Sequence, residues 1–173
     1  MTELRSDARR NLERVLDAAT EAFAASGPDA SIDEIAHAAG VGHGTVFRRF
    51  PTKDDLIYAV IERHVAQMCA IAEAALQSDD PGEAFFDFAH EVAELAMSTP
   101  SLHKCVVHCG EKPRGAELDS LGQKVVARAQ RAGALRSDLK PSEVGPLLRA
   151  ALLGAPPGQW RLYLDVVLDG LRT

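Results

Sequence analysis

Residues 35–53 contain no carboxylate but carry three basic side chains, Arg48, Arg49 and Lys53. The whole chain of 173 residues has 19 Lys and Arg against 25 Asp and Glu, a net charge of −6. This charge excludes a uniformly basic nucleic-acid binder, but a local cationic face can still neutralise phosphates. The basic cluster therefore indicates anion binding, with the DNA backbone as the first candidate.

A second group of chemically capable side chains comprises His103, Cys105, His108 and Cys109. Cys105 and Cys109 are four residues apart and would share one face of a helix, an arrangement that suits soft-metal binding or thiol sensing. No further ligand pair with zinc spacing accompanies them in the sequence, and buried thiols are common in Ala-rich helices. We therefore expect reduced cysteines without a metal, and keep metal or thiol sensing as an alternative.

Two carboxylate–histidine pairs, Glu34 with His37 and Asp87 with His90, would each share a helical face. A di-metal four-helix bundle needs two such pairs and two further carboxylates on long helices. The first pair lies on a short helix, and the sequence has neither a Gly-rich phosphate loop nor a nucleophile elbow. We expect no enzyme and no cofactor. A purely structural helical adaptor would leave the basic cluster unexplained.

All of these groups are predicted to lie on helices. The chain is rich in Ala, 5% of its residues are aromatic, and no run alternates apolar and polar residues, so an all-α fold is expected. Ser31 and Thr52 are the predicted N-caps of two helices, and Ser31 forms a capping box with Glu34. The first helix is expected from about residue 6, and the helix after Thr52 extends to about residue 76.

The cellular compartment is predicted from what the sequence lacks. No apolar run approaches the roughly 18–20 residues that span a bilayer, and the N-terminal residues have no signal-peptide stretch. Three cysteines without framework spacing argue against a disulfide-stapled secreted domain. We therefore expect a cytoplasmic protein with no membrane partner.

The segment 35–50 has the pattern of a helix-turn-helix. Ala36 is small enough for a second helix to cross closely, and Gly40 suits a left-handed turn. Val41 and Val46 would fill the angle between the two helices. The second helix then presents its basic residues outward, as a recognition helix does when it enters a major groove.

A longer pattern surrounds this segment: Ile35-Ala36, Ala39-Gly40-Val41, Gly44-Thr45-Val46-Phe47, Phe50-Pro51-Thr52-Lys53 and Leu56. It resembles the N-terminal domain of TetR-type transcriptional regulators over about residues 10–60. A generic helix-turn-helix needs neither Gly44-Thr45 nor the tail that begins at Phe50. The resemblance implies a three-helix DNA-binding domain over residues 1–56, with the helix-turn-helix at about 31–50.

The resemblance also implies the residues that contact DNA. They are Ser31, His43, Gly44, Thr45, Phe47, Arg48, Arg49, Thr52 and Lys53. His43 and Arg48 occupy positions that read bases, and Gly44 lets the helix approach closely. Lys53 and the two N-caps would bind phosphates. The family commonly has Tyr at position 47, so Phe47 removes one hydroxyl contact.

Residues 130–139 and 159–172 are similar to the subgroup with an SbtR-like C-terminal domain. This similarity implies a helical domain over residues 57–173 for ligand binding and dimerisation. The candidate ligand-lining residues are Met68, Phe85, Phe88, Met97, His103, Cys105, His108 and Cys109. Apolar residues at helical spacing more often belong to an ordinary core, which is the competing interpretation.

The last two predicted helices carry more apolar residues than a single buried face can hold. Their wide apolar arcs fit burial on two sides, against the core and against a partner, and burial within one subunit is the alternative. The expected dimer interface comprises Leu148, Leu152, Trp160, Tyr163, Leu164 and Val167. A two-fold dimer would match a palindromic operator.

These features together predict a DNA-binding transcriptional regulator. The resemblance implies a homodimeric repressor that binds a palindromic operator in double-stranded DNA and is released by an unidentified small-molecule effector. One alternative is a metal- or thiol-responsive regulator that uses Cys105 and Cys109. Another, in a different class, is a helical di-metal enzyme.

Overall fold

The computed structural model describes residues 2–98 and 113–173, which form eight α-helices. They are α1 (Thr2–Ser26), α2 (Ile32–Ala38), α3 (His43–Arg49), α4 (Lys53–Gln77), α5 (Pro81–Met97), α6 (Pro113–Arg131), α7 (Pro141–Gly154) and α8 (Trp160–Leu171), with a 3₁₀ turn at Gly27–Asp29 after α1. The predicted all-α fold is confirmed for this part of the chain. None of these helices is long and apolar enough to cross a membrane.

Of the described residues, 2–64 with 97–98 form one compact unit, and 65–96 with 113–173 form a second. The division falls inside α4, and the domain boundary expected at residues 56/57 stays a prediction. In the first unit α1 packs against α2, and α2 packs against α3. α1 buries one apolar stripe that comprises Val15, Leu16, Ala19 and Phe23, whereas Leu12 on the same stripe is half-buried. α1 begins at Thr2 rather than near residue 6, because the added residues include good helix formers.

Arg63 joins α4 to α1 within the first unit. Its Nη1 donates to the Asp17 carboxylate (2.6 Å), and its Nη2 donates to the Leu16 carbonyl (3.1 Å) and to the Thr20 hydroxyl (2.8 Å). The neighbouring His64 is buried. Burial, with a smaller contribution from the Arg63 guanidinium, lowers the pKa of His64 below its ordinary value.

In the second unit α6 packs against α7, and α7 packs against α8. Its buried apolar side chains include Met68, Phe85, Phe88, Val125, Val144, Leu164 and Leu168. The C-terminal end of α4 is capped by Arg128 of α6, which donates to the Ala75 carbonyl (3.1 Å) and to the Ser78 carbonyl. A guanidinium suits this place, because the last carbonyls of a helix lack intrahelical partners and carry partial negative charge.

Candidate nucleic-acid interface

The turn between α2 and α3 sets the direction in which α3 leaves the fold. α2 ends with hydrogen bonds from the Gly40 amide to the His37 carbonyl (2.9 Å) and from the Val41 amide to the Ala36 carbonyl (3.0 Å). This is the Schellman arrangement, which places the residue after the cap in the left-handed region. Gly40 has φ +62°, which confirms the predicted turn glycine, and a Cβ there would also collide with the Arg14 guanidinium.

α3 is anchored by one buried residue and exposes the rest. Val46 is buried, whereas the other six residues of this helix are exposed. A helix of seven residues is too short to be stable alone, so the turn before it and the Val46 anchor must hold it in place. Its outer face is therefore available to a partner along the whole length of the helix.

Arg48 and Arg49 supply the positive charge of this face. Both are exposed, and neither pairs with a carboxylate among the side chains that the structure describes. Phe47 precedes them in the sequence and is 51% exposed. Guanidinium groups beside an exposed aromatic ring can neutralise phosphates, donate to base edges and contact sugars or thymine methyl groups.

His43, the first residue of α3, is held by two neighbours. Its Nδ1 hydrogen-bonds the Asp33 carboxylate in the first turn of α2. Its ring stacks on Phe47, with centroids 5.7 Å apart and an interplanar angle of 18°. The positive face is therefore not free of carboxylates in space, contrary to what residues 35–53 suggest in the sequence. The start of α2 and the start of α3 lie side by side, and this proximity brings Asp33 to the site.

Both predicted N-caps are present. The Ser31 Oγ accepts from the Asp33 amide (3.2 Å), rather than from the Glu34 amide of the predicted capping box; either amide can satisfy a cap. Thr52 forms a reciprocal box with Asp55: its Oγ1 accepts from the Asp55 amide (3.1 Å), and its own amide donates to the Asp55 carboxylate (3.0 Å). The Thr52 hydroxyl is thus committed to the start of α4.

Lys53 and Gly44 complete the predicted set on this side of the molecule. Lys53 is half-buried as the first residue of α4. A Cβ on Gly44 would meet nothing within 4 Å. Glycine inside a helix costs about 1 kcal/mol relative to alanine, and the packing around position 44 gives no reason for it. Its smallness leaves the backbone of α3 open to close approach from outside.

The predicted ligand-lining residues fall into two groups. Met68, Phe85 and Phe88 are buried, Met97 is half-buried, and the Phe88 ring lies 3.7 Å from where a Cβ of Gly122 would stand. Outside the described residues lie His103, Cys105, His108 and Cys109. Within the described ranges, no group of three or more His, Cys, Asp or Glu could hold a metal ion. Burial fits a core as well as a ligand site, so the effector site stays a prediction.

The residues predicted for a dimer interface differ widely in exposure. Leu152 and Leu164 are buried within the chain, Leu148, Trp160 and Val167 are half-buried, and Tyr163 is exposed. The large apolar side chains that α7 and α8 expose are Leu147, Leu153, Leu162, Tyr163 and Val166. Leu162 and Val166 are four residues apart on one face of α8 and are the most exposed, at 59% and 64%. The sequence-based set leaves out both.

The sequence did not indicate Asp33 as part of the site. Asp33 looks like an ordinary charged residue on a solvated helix face. The only available signal was that Asp33 and His43 both stand in the first turn of consecutive helices. Their separation of ten residues in the sequence does not by itself indicate contact.

Two family descriptions match the chain. Residues 15–60 match the bacterial regulatory proteins of the tetR family, and residues 80–173 match the SbtR-like C-terminal domain of transcriptional regulators. The first match spans most of the region 10–60 that resembles this family, and the second includes residues 130–139 and 159–172.

Three individual transcriptional regulators are similar to this protein over most of its chain. A TetR transcription regulatory protein from Mycobacterium vanbaalenii is 34% identical, with a TM-score of 0.74 over 98% of this chain and 99% of that one. The TetR transcriptional regulator SCO0520 from Streptomyces coelicolor is 30% identical, with a TM-score of 0.71 over 92% and 97%. The HTH-type transcriptional repressor Rv1474c from Mycobacterium tuberculosis is 28% identical over 91% of this chain and 78% of its own length.

Proposed function

Because the chain belongs to the TetR family of transcriptional regulators, we propose that it represses transcription by binding a palindromic operator in double-stranded DNA as a homodimer, until a small molecule releases it. The observation that carries this proposal is the exposed outer face of α3, with Arg48 and Arg49 free of carboxylate partners among the described residues. A short helix anchored by Val46 and otherwise exposed is suited to insertion into a major groove.

The side chains of this face divide into base-reading and phosphate-binding groups. Arg48 belongs to the base-reading group, since its guanidinium can donate two parallel hydrogen bonds to guanine O6 and N7. Arg49, Lys53 and the Thr45 hydroxyl bind phosphates and set the register of the helix. Phe47 has no hydroxyl, so its ring contacts a sugar or a thymine methyl group instead.

Dimerisation is assigned to the apolar surface of α7 and α8. Leu162 and Val166 form an exposed apolar stripe that a second copy of the chain would cover. Val166→Glu should convert the dimer to a monomer in sedimentation velocity. Ala132→Glu places the same charge at an exposed position outside both helices and should leave the dimer intact. If the two variants had the same oligomeric state, α8 would not be part of the dimer interface.

Release by a ligand requires two states of the protein with different affinity for DNA. A ligand shifts the equilibrium only by the ratio of its affinities for the two states. α4 contributes residues to both compact units. A conformational change around its C-terminal half can therefore be transmitted along one continuous helix to Lys53. The ligand-lining candidates Met68, Phe85 and Phe88 lie in the second unit.

The first experiment is fluorescence anisotropy with DNA taken from just upstream of the protein's own gene. A shuffled duplex is the control, at low and at physiological salt. We expect a Kd of about 10⁻⁸ M or tighter on the upstream DNA and binding on the order of a thousandfold weaker on the shuffled duplex at physiological salt. Binding to neither duplex at low salt would overturn the DNA-binding proposal, because phosphate contacts alone should give affinity there.

A further inference from the structure

His43 is constrained on two sides although it lies on an exposed face. Its Nδ1 hydrogen-bonds the Asp33 carboxylate, and its ring stacks on Phe47. The side chains of His43 and Asp33 are 53% and 78% exposed, so burial does not hold either of them. The two contacts together restrict both the position and the rotation of the imidazole ring.

The contact with Asp33 determines which ring nitrogen is left as the acceptor in the neutral form of His43. A carboxylate accepts hydrogen bonds, so the ring proton in this pair lies on Nδ1. In the neutral imidazole the other nitrogen, Nε2, is then an acceptor. In the major groove an acceptor pairs with an exocyclic amino group, N4 of cytosine or N6 of adenine, and not with guanine O6 or N7.

We propose that Asp33 and His43 act as one specificity unit, in which Asp33 is a positioning residue and His43 Nε2 accepts a hydrogen bond from the exocyclic amino group of a cytosine or an adenine. This inference rests on the proposed DNA-binding function and adds to it the chemical group that His43 reads. A further consequence follows from charge. Asp33 places a carboxylate near the phosphates, so it lowers affinity for all DNA while it raises selectivity at one base pair.

The test begins with selection of binding sites from a random duplex library by the full chain. Discrimination at each base pair is then measured by anisotropy for the unsubstituted chain, Asp33→Ala, His43→Ala and the double variant. We expect His43→Ala to lose about five- to tenfold of discrimination at one base pair of each half-site, the size of one hydrogen bond. Asp33→Ala should lose it at the same base pair, and the double variant should lose no more than His43→Ala.

Two further variants separate positioning from charge. Asp33→Asn keeps an oxygen that accepts from Nδ1, so it should retain discrimination at that base pair while binding all duplexes more tightly. Glu34→Gln removes a neighbouring exposed carboxylate that does not contact His43, and should tighten binding without changing discrimination. If Asp33→Ala behaves like Glu34→Gln, Asp33 is only a charge and the inference is overturned. Circular dichroism checks that every variant keeps its helix content.

Removal of the amino group tests the chemistry directly. At the base pair that His43→Ala relaxes, adenine is replaced by purine, or cytosine by pyrimidin-2-one, each of which lacks the exocyclic amino group. The unsubstituted chain should lose about fivefold more affinity than His43→Ala on this duplex. Equal losses in both proteins would show that Nε2 does not read that group.

The outcomes separate this inference from the function on which it rests. Absence of any sequence preference in the unsubstituted chain at physiological salt overturns both. A clear preference that Asp33→Ala leaves intact overturns the inference alone.

Discussion

The two compact units both bury some large apolar side chains and expose others, but the exposed ones differ in how well the sequence identifies them. In the first unit α3 buries Val46 and exposes Phe47, because a seven-residue helix against a tight turn has room for one anchor. In the second unit Phe85 is buried, while α8 leaves Leu162 and Val166 exposed. The exposed residues of α3 belong to a motif that the sequence shows. Those of α8 depend on which of several apolar arcs the neighbouring helix covers.

The largest expected difference between the units concerns two phenylalanines. Phe85→Ala should lower the free energy of unfolding by about 3–5 kcal/mol, because it leaves a cavity in the core of the second unit. Phe47→Ala should change it by no more than about 0.5 kcal/mol, since this ring is half exposed, and should instead weaken DNA binding. Urea denaturation followed by circular dichroism measures both; similar losses of stability would contradict the contrast.

Basic residues of the first unit should contribute to DNA binding, whereas those of the second unit should not. Arg48→Ala is expected to weaken operator binding by about 1–3 kcal/mol and to relax preference at one base pair. Lys53→Ala should weaken all duplexes alike and lower the slope of log K against log salt by about one. Anisotropy across a salt series distinguishes the two effects. If both variants behaved in the same way, the division into base-reading and phosphate-binding residues would be wrong.

The matched control is Arg131→Ala in the second unit. Arg131 is an exposed arginine in the last turn of α6 and donates to the Ala127 carbonyl of its own helix (3.2 Å). Its removal should leave the affinity for DNA unchanged at physiological salt. A loss as large as that of Lys53→Ala would place part of the DNA interface outside the first unit.

His64 should make the first unit sensitive to acid. Because burial and Arg63 lower its pKa in the folded state, the unfolded chain takes up a proton that the folded chain resists. Stability is therefore full above the ordinary histidine pKa of about 6.5 and falls as the pH drops from there to the lowered folded pKa. The loss has a limiting slope of about 1.4 kcal/mol per pH unit.

The measurement is urea unfolding between pH 7.5 and 5 with His64→Gln for comparison. Glutamine does not titrate in this range, so the stability of the His64→Gln variant should fall less steeply with decreasing pH than that of the unsubstituted chain. Parallel curves for the two proteins would mean that His64 contributes nothing to acid sensitivity.

The smallest expected effects come from two helix glycines with open space around them. Gly44→Ala in α3 and Gly170→Ala in α8 should each raise stability by about 0.5–1 kcal/mol, since a Cβ at either position meets nothing within 4 Å. Only Gly44→Ala should weaken DNA binding, because only that methyl group would stand between helix and DNA. Thermal unfolding and anisotropy check the pair. Unchanged DNA affinity in Gly44→Ala would show that close approach is not needed there.

Local features of this chain were predictable in detail. Ser31 and Thr52 cap their helices as expected, and Gly40 has the left-handed conformation that its place in the turn demands. The predictions erred where a local rule allows two answers. The cap of α2 bonds the Asp33 amide rather than that of Glu34, and α1 extends to Thr2 because nothing in the first residues stops a helix.

The N-caps, the turn at Gly40 and the family pattern could be identified from the sequence, because each depends on residues within a few positions of one another. Contacts between residues far apart in the sequence became visible in the folded chain. Asp33 reaches His43 across ten residues, Arg63 reaches Asp17 across 46, and Arg128 reaches Ala75 across 53. Such pairings depend on how helices cross and which faces they cover. Helical periodicity describes the faces of one helix but does not specify the partner of each face.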